Sequence, residues 1–267
     1  MASKGSDLLS PLPSYKKPPV NEVVFGINYN TPEEFRIPHI GLFWEKIKNE
    51  YPIIQHNSPI ASNTGELKID VSTGVPIPRM WFINESDDTL VQFQIDRVYF
   101  NWRRRENEYP RYEPIKKEFA RILKILIDYF HDAGLGEFDP IGFELSYINH
   151  IPKADAWNNE DDLSKLFKDF LWNKESHTFL LKPVRFSWNA AFSLPDNKGM
   201  MSAQIKHAMN IKDKSPVIAL NIKVTGSNES YDKEAILKWF DLAREWIVKG
   251  FTDLTTPEAH KIWEREQ

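Results

Sequence analysis

Two short stretches about 118 residues apart are written almost alike: Phe25-Gly26-Ile27-Asn28-Tyr29 and Phe143-Glu144-Leu145-Ser146-Tyr147. Each alternates large apolar residues with small or polar ones, the period-2 pattern of a strand with one buried face. Tyr112 and Tyr231, each just ahead of a long amphipathic helical pattern, stand at nearly the same offset. Equal offsets at two distant points are what a duplicated unit produces; the competing reading is coincidence between ordinary strand and helix patterns.

The remaining elements fit the same plan. Residues 1–18, rich in Ser, Pro and Lys, read as a disordered lead-in, with order beginning at Pro18-Pro19. Ile40, Phe43, Trp44 and Ile47 lie on one helical face, which Pro52 ends. Residues 53–78 are rich in turn formers, with a strand expected at 67–71. A strand at 79–84 and a turn at Ser86-Asp87-Asp88 lead into a long strand at 90–102. In that strand Val91, Phe93 and Ile95 alternate with polar residues, then the phase flips to Val98, Phe100 and Trp102, which predicts a bulge near Asp96-Arg97. Ile115, Phe119, Ile122, Leu126 and Phe130 form a four-turn helical stripe ended by Gly134 and Gly136. The second unit predicts strands at 141–148, 184–194, 201–209 and 217–224, a short helix at 161–170 and a long one at 233–251. The fold class expected is α+β: residues 19–137 and 138–267 each form a β-α-β(3–4)-α unit. Together they would make one curved antiparallel sheet with helices on one face. That element order is similar to the saddle of TATA-binding-protein-like folds, a likeness that says nothing about DNA binding.

Composition narrows the chemistry. The chain has no Cys, which excludes disulfides, thiolate catalysis and Cys-ligated zinc. A net charge of −4 argues against a strongly phosphate-binding surface as a whole. No stretch approaches 18 apolar residues, and residues 1–20 lack the apolar core of a signal peptide, so no membrane is expected and the location expected is cytoplasmic. With only 11 Gly there is no phosphate-cradling loop, and no nucleophile elbow. The seven His are scattered without a ligand pair, Asp87-Asp88 reads as a turn and Asp161-Asp162 as a helix start. No catalytic residue, metal or cofactor is assigned.

A set of motifs spans the first half: Pro18-Pro19-Val20-Asn21-Glu22-Val23, Pro38-His39-Ile40-Gly41, Pro78-Arg79-Met80-Trp81, Gln92-Phe93-Gln94-Ile95-Asp96-Arg97, Asn101-Trp102-Arg103 and Tyr109-Pro110-Arg111-Tyr112. As a set it resembles a sporadically distributed prokaryotic family of uncharacterised proteins of about this length. The resemblance carries no activity. It implies an accessory role such as phage defence or toxin neutralisation.

Three places merit attention. Asn101, Trp102, Arg103, Arg104 and Arg105, with Tyr109 and Tyr112, combine guanidinium forks and aromatic rings, the residue types that hold phosphates and bases. The alternative is a strand end with a packed Trp and arginines paired to Glu106, Glu108 and Glu113. Gln92 and Gln94, with Arg79 and Trp81 on a neighbouring strand, would line an open polar sheet face, or an ordinary solvated one. Trp263 would be an exposed anchor for a partner chain, or docked within the chain. The reading favoured is a non-enzymatic accessory protein that holds a protein partner. Nucleic-acid or nucleotide binding through residues 101–112 is the alternative, an enzyme assembled by tertiary convergence ranks last, and a homodimer stays open.

Overall fold

The computed structural model describes residues 11–61, 69, 74–153, 156–169, 178–180, 183–210, 213–228 and 232–267. Tyr231 and most of the strand expected at 67–71 lie outside them. The described residues build one nine-stranded sheet in the order β2-β3-β4-β5-β1-β6-β9-β8-β7, with every neighbouring pair antiparallel. The strands are β1 (Val20–Tyr29), β2 (Ile53–Asn57), β3 (Arg79–Ile83), β4 (Thr89–Gln94), β5 (Arg97–Arg103), β6 (Pro140–Pro152), β7 (Ser187–Ser193), β8 (Met200–Met209) and β9 (Pro216–Gly226). The helices are α1 (Ile37–Ile47), α2 (Tyr112–Asp132), α3 (Leu163–Leu166), α4 (Lys233–Leu254) and α5 (Pro257–Ile262).

The long helices form where the apolar stripes predicted them. The α2 stripe from Ile115 to Phe130 and the α4 stripe of Ile236, Phe240, Ala243 and Ile247 are buried throughout. Asp232 caps α4 by accepting from the Ala235 N–H at 2.9 Å. Gly134, at φ 68, takes the left-handed turn that follows α2. Both helices converge on Phe25 of β1, whose ring centre lies 4.6 Å from that of Phe119 and 5.1 Å from that of Phe240. On the same side of the sheet α1 places Phe43 4.6 Å from Phe93 of β4. Among the described residues no helix is long and apolar enough to cross a membrane.

Several expectations are corrected. The phase flip at Ile95-Asp96 is a two-residue hairpin turn joining β4 to β5, not a bulge in one strand. Phe93 faces Val98 and Val91 faces Phe100 across that turn, so the two apolar sets share the helix face because the chain has reversed. Neither turn residue has positive φ, so the glycine or asparagine that marks most short hairpins is not needed. β2, not anticipated, is an edge strand with Ile53 and Ile54 both exposed. The short helix breaks into a 3₁₀ turn at Glu160–Asp162 and the four-residue α3. Order also begins before Pro18. The Lys16 N–H donates to Glu264 O at 3.0 Å and the Glu266 N–H to Ser14 O at 2.9 Å, which seats the Tyr15 ring against Phe251 and Trp263.

Gly26, in the middle of β1, is required by a close approach. A Cβ there would sit 2.4 Å from the ring of Tyr99, its cross-strand partner on β5. Gly26→Val therefore has to displace a buried aromatic ring, and we expect a loss of about 1–3 kcal/mol in urea unfolding; an unchanged midpoint would refute the contact.

Candidate functional site

The β4–β5 hairpin sets Leu90, Gln92 and Gln94 beside Asn101, Tyr99 and Arg97 on the sheet face away from the helices. A relay runs across this face. Arg79 Nη1 donates to Gln92 Oε1 (3.0 Å), Gln92 Nε2 to Asn101 Oδ1 (2.8 Å), and Asn101 Nδ2 to Glu22 Oε1 (2.6 Å). Trp81 lies between two cations, its ring centre 5.5 Å from Arg79 Cζ and 5.7 Å from Arg103 Cζ. Gln94 clamps the chain lying over this face: its amide accepts from the Ile60 N–H at 2.8 Å and donates to Ile60 O at 2.9 Å.

The face expected to be open is thus covered in the first half of the sheet. Gln92, Gln94 and Asn101 are 7%, 1% and 3% exposed, so they serve as a buried network rather than a reading surface. Desolvation pushes the Glu22 carboxyl pKa up, and Asn101, Arg103 and Arg105 pull it part of the way back. Among the described residues Arg79 Nε, Trp81 Nε1 and Arg103 Nε are buried without a hydrogen-bond acceptor.

The arginine run does not act as one unit. Arg103 and Arg105 converge on the carboxylate of Asp87, the latter at 2.7 Å, and Asp87 is held by its turn at φ 58. Arg104 turns to the other side and donates to Pro18 O at 3.2 Å. Asp87, not the neighbouring Glu106, Glu108 or Glu113, thus takes up Arg103 and Arg105, while the charge of Glu108 acts on Arg104. Trp102 is on the helix face, 3% exposed, against Tyr109. Tyr112 is buried in the first turn of α2, with its hydroxyl donating to Asp241. Trp263 is corrected as an anchor: it is 4% exposed, packed on Tyr15 and Phe251 and unavailable to a partner.

Two surfaces remain. A basic cleft of about 710 Å³ opens where the arginine run leaves β5, flanked by Lys16, Lys17, Arg104, Arg105, Arg111 and His150. Glu106 and Glu108 also line it. Lys16, Lys17 and His150 carry no sequence signal, because the strand and terminal pairings bring them together. The other surface is the face away from the helices in the second half of the sheet. There a trough of about 590 Å³ follows the register: Asn221 lies beside Gln204 and Ile148, Gln204 beside Asn189, and Lys223 between Ser202 and Ser146. Its polar groups are loosely committed. Gln204 Nε2 donates to Asn189 Oδ1 at 2.8 Å, Lys223 stands 3.5 Å from Glu144, and Asn221 Oδ1 has no donor among the described residues. Among the described residues no three His, Asp or Glu side chains gather as metal ligands.

The covered network makes a sign-specific prediction. A carboxyl whose pKa is raised by folding costs stability as pH rises above its ordinary value of 4.5, so ionised Glu22 weighs against the fold at neutral pH. Glu22→Gln keeps the acceptor oxygen and should leave the pH 7 melting temperature equal or higher. Asn101→Ala strands Gln92 and Glu22 and should cost about 1–3 kcal/mol. The reverse ranking by thermal melts would show that the relay does not hold this face.

No protein-family model matches the chain, and no curated protein and no solved structure matches it.

Proposed function

We propose that this chain is a binding protein that holds a protein partner on the open half of its sheet. The contrast between the two halves supports the reading. One half buries its polar residues under the chain near Ile60, while the other presents Asn189, Ser202, Gln204, Asn221 and Lys223 in a trough. Amides and hydroxyls in register on adjacent strands offer donors and acceptors at strand spacing, which suits side chains of an extended or loop segment. A setting in prokaryotic defence or toxin neutralisation is part of the proposal and rests on the motif resemblance alone.

Duplication of an ancestral unit belongs to the same proposal. Phe25 pairs with Leu145 and Ile27 with Phe143. Exchanging Phe25 for Phe143 and Ile27 for Leu145, the equivalence suggested by the two alike stretches, leaves that pairing unchanged. This is what a two-fold axis between β1 and β6 would require.

Affinity isolation of the intact chain from its source cells tests the partner reading. The wild type should retain a stoichiometric protein that a Ser202→Arg, Gln204→Arg double variant loses at equal melting temperature. Equal recovery by both would refute the open face as the site.

The basic cleft supports the second reading, nucleic-acid binding beside residues 101–112. Its test is fluorescence anisotropy with a single-stranded oligonucleotide. Lys16→Ala with Lys17→Ala should weaken binding and flatten its salt dependence by about 0.7 in slope per lost phosphate contact. No binding at low salt would eliminate this reading.

A further inference from the structure

A cavity of about 100 Å³, which shares Pro18, Tyr109 and Arg111 with the basic cleft, lies where the N-terminal segment, the first turn of α2 and the middle of α4 meet β6. Tyr109, Tyr147, Arg111 and Arg244 reach it, and Val20 and Phe251 supply apolar wall; among the described residues no Asp or Glu lines it. The described lining thus offers two cations and no anion.

The phenols at its base are donors in search of an acceptor. Tyr147 is buried, and its hydroxyl lies 3.2 Å from that of Tyr109. One proton joins the two oxygens. The other hydroxyl proton has no acceptor among the described residues. Burial pushes both phenol pKa values up, so both protons are present at neutral pH. Arg244 stacks on Tyr112, its Cζ 4.7 Å from the ring centre, and makes no hydrogen bond or ion pair among the described residues. Asp241, one turn earlier on α4, is already taken by the Tyr112 hydroxyl at 3.1 Å and by Lys116 at 2.7 Å.

Arg111 adds a conformational observation. Its backbone sits at φ 75 and ψ 175, a region that residues with side chains seldom occupy. Its guanidinium is tied to the cavity wall by a 2.6 Å hydrogen bond from Nη1 to Tyr15 O. The strain places a cation at this cavity and at the uncapped start of the 21-residue α2, where the helix dipole also favours negative charge.

We infer that this cavity binds a small organic carboxylate. Its charged head would be held by Arg244, Arg111 and the free phenol proton, and a short aliphatic tail would lie against Val20 and Phe251. The volume suits a carboxylate head with a short aliphatic tail. A free short-chain acid and the terminal carboxylate of a peptide share this chemistry. The inference does not rest on the sheet-face reading, since the two sites share no residue.

Calorimetric titration of the full chain with butyrate, butyramide, inorganic phosphate and a tripeptide ending in valine tests it. Butyrate should bind saturably and butyramide should not. Arg244→Gln and the double variant Tyr109→Phe, Tyr147→Phe should each weaken butyrate by about tenfold, the loss expected for one charge-assisted hydrogen bond. If Arg244→Gln fails to fold, the double phenol variant, which removes only two oxygens, carries the comparison. Tighter binding of the tripeptide than of butyrate would assign the carboxylate to a chain end, and weaker binding to a free acid. The inference is overturned if phosphate binds while butyrate does not, if no carboxylate binds, or if butyrate binds the folded variants as tightly as the wild type.

Discussion

The antiparallel pairing of β1 with β6 is the junction on which the molecule depends. Among the described residues it joins the five strands of the first half to the four of the second, and no other strand pair bridges them. Its strength does not come from backbone hydrogen bonds alone. Phe25 and Phe143 project from the paired strands onto Phe119 of α2 and Phe240 of α4, and the rings lie within stacking or edge contact of one another. Ring pairs of this kind contribute about 0.5–1.5 kcal/mol each beyond the area they bury. The two long helices are thus tied to each other through the strands at the centre of the sheet.

The opposite face follows a different logic. Around Gln92, Gln94 and Asn101 the sheet has traded access for specificity. Each amide there uses both its donor and its acceptor ends, so a shift of one residue in strand register would break several bonds together. Across β6, β9, β8 and β7 the trough side chains on that face, such as Asn189, Ser202, Gln204, Asn221 and Lys223, stay half-buried or exposed and only partly paired. One sheet therefore carries a locked polar surface and an adaptable one, side by side.

Most helices and strands were legible because burial on one face leaves a period in the sequence. The stripe of α2 and the alternation around Phe143 are examples. The hairpin at Ile95-Asp96 was misread because its turn contains an apolar residue and no glycine, so it looks like a strand continuing through a fault. β2 escaped because an exposed edge strand has no face to hide and hence no alternation. The polar character of positions 92, 94 and 101 was readable, but not their cover, which comes from Ile60, 34 residues before Gln94. Trp263 illustrates the same limit, since its partner Tyr15 stands near the other end of the chain. Tyr147 meets Tyr109 from 38 residues away, and Arg244 arrives on a helix from the second half. No local pattern announces such a meeting.

The clasp between the two chain ends has a consequence for the order of assembly. Ser14 and Glu266 are 252 residues apart in sequence, so their contact closes a loop that takes in the whole sheet and its helices. Loop-closure entropy grows slowly with length, which makes so distant a contact affordable in equilibrium but late in time. The segment it seats also walls the cavity beside Tyr109 and Tyr147. That cavity is therefore among the last features to mature, and whatever occupies it would report on, and reinforce, the completed fold.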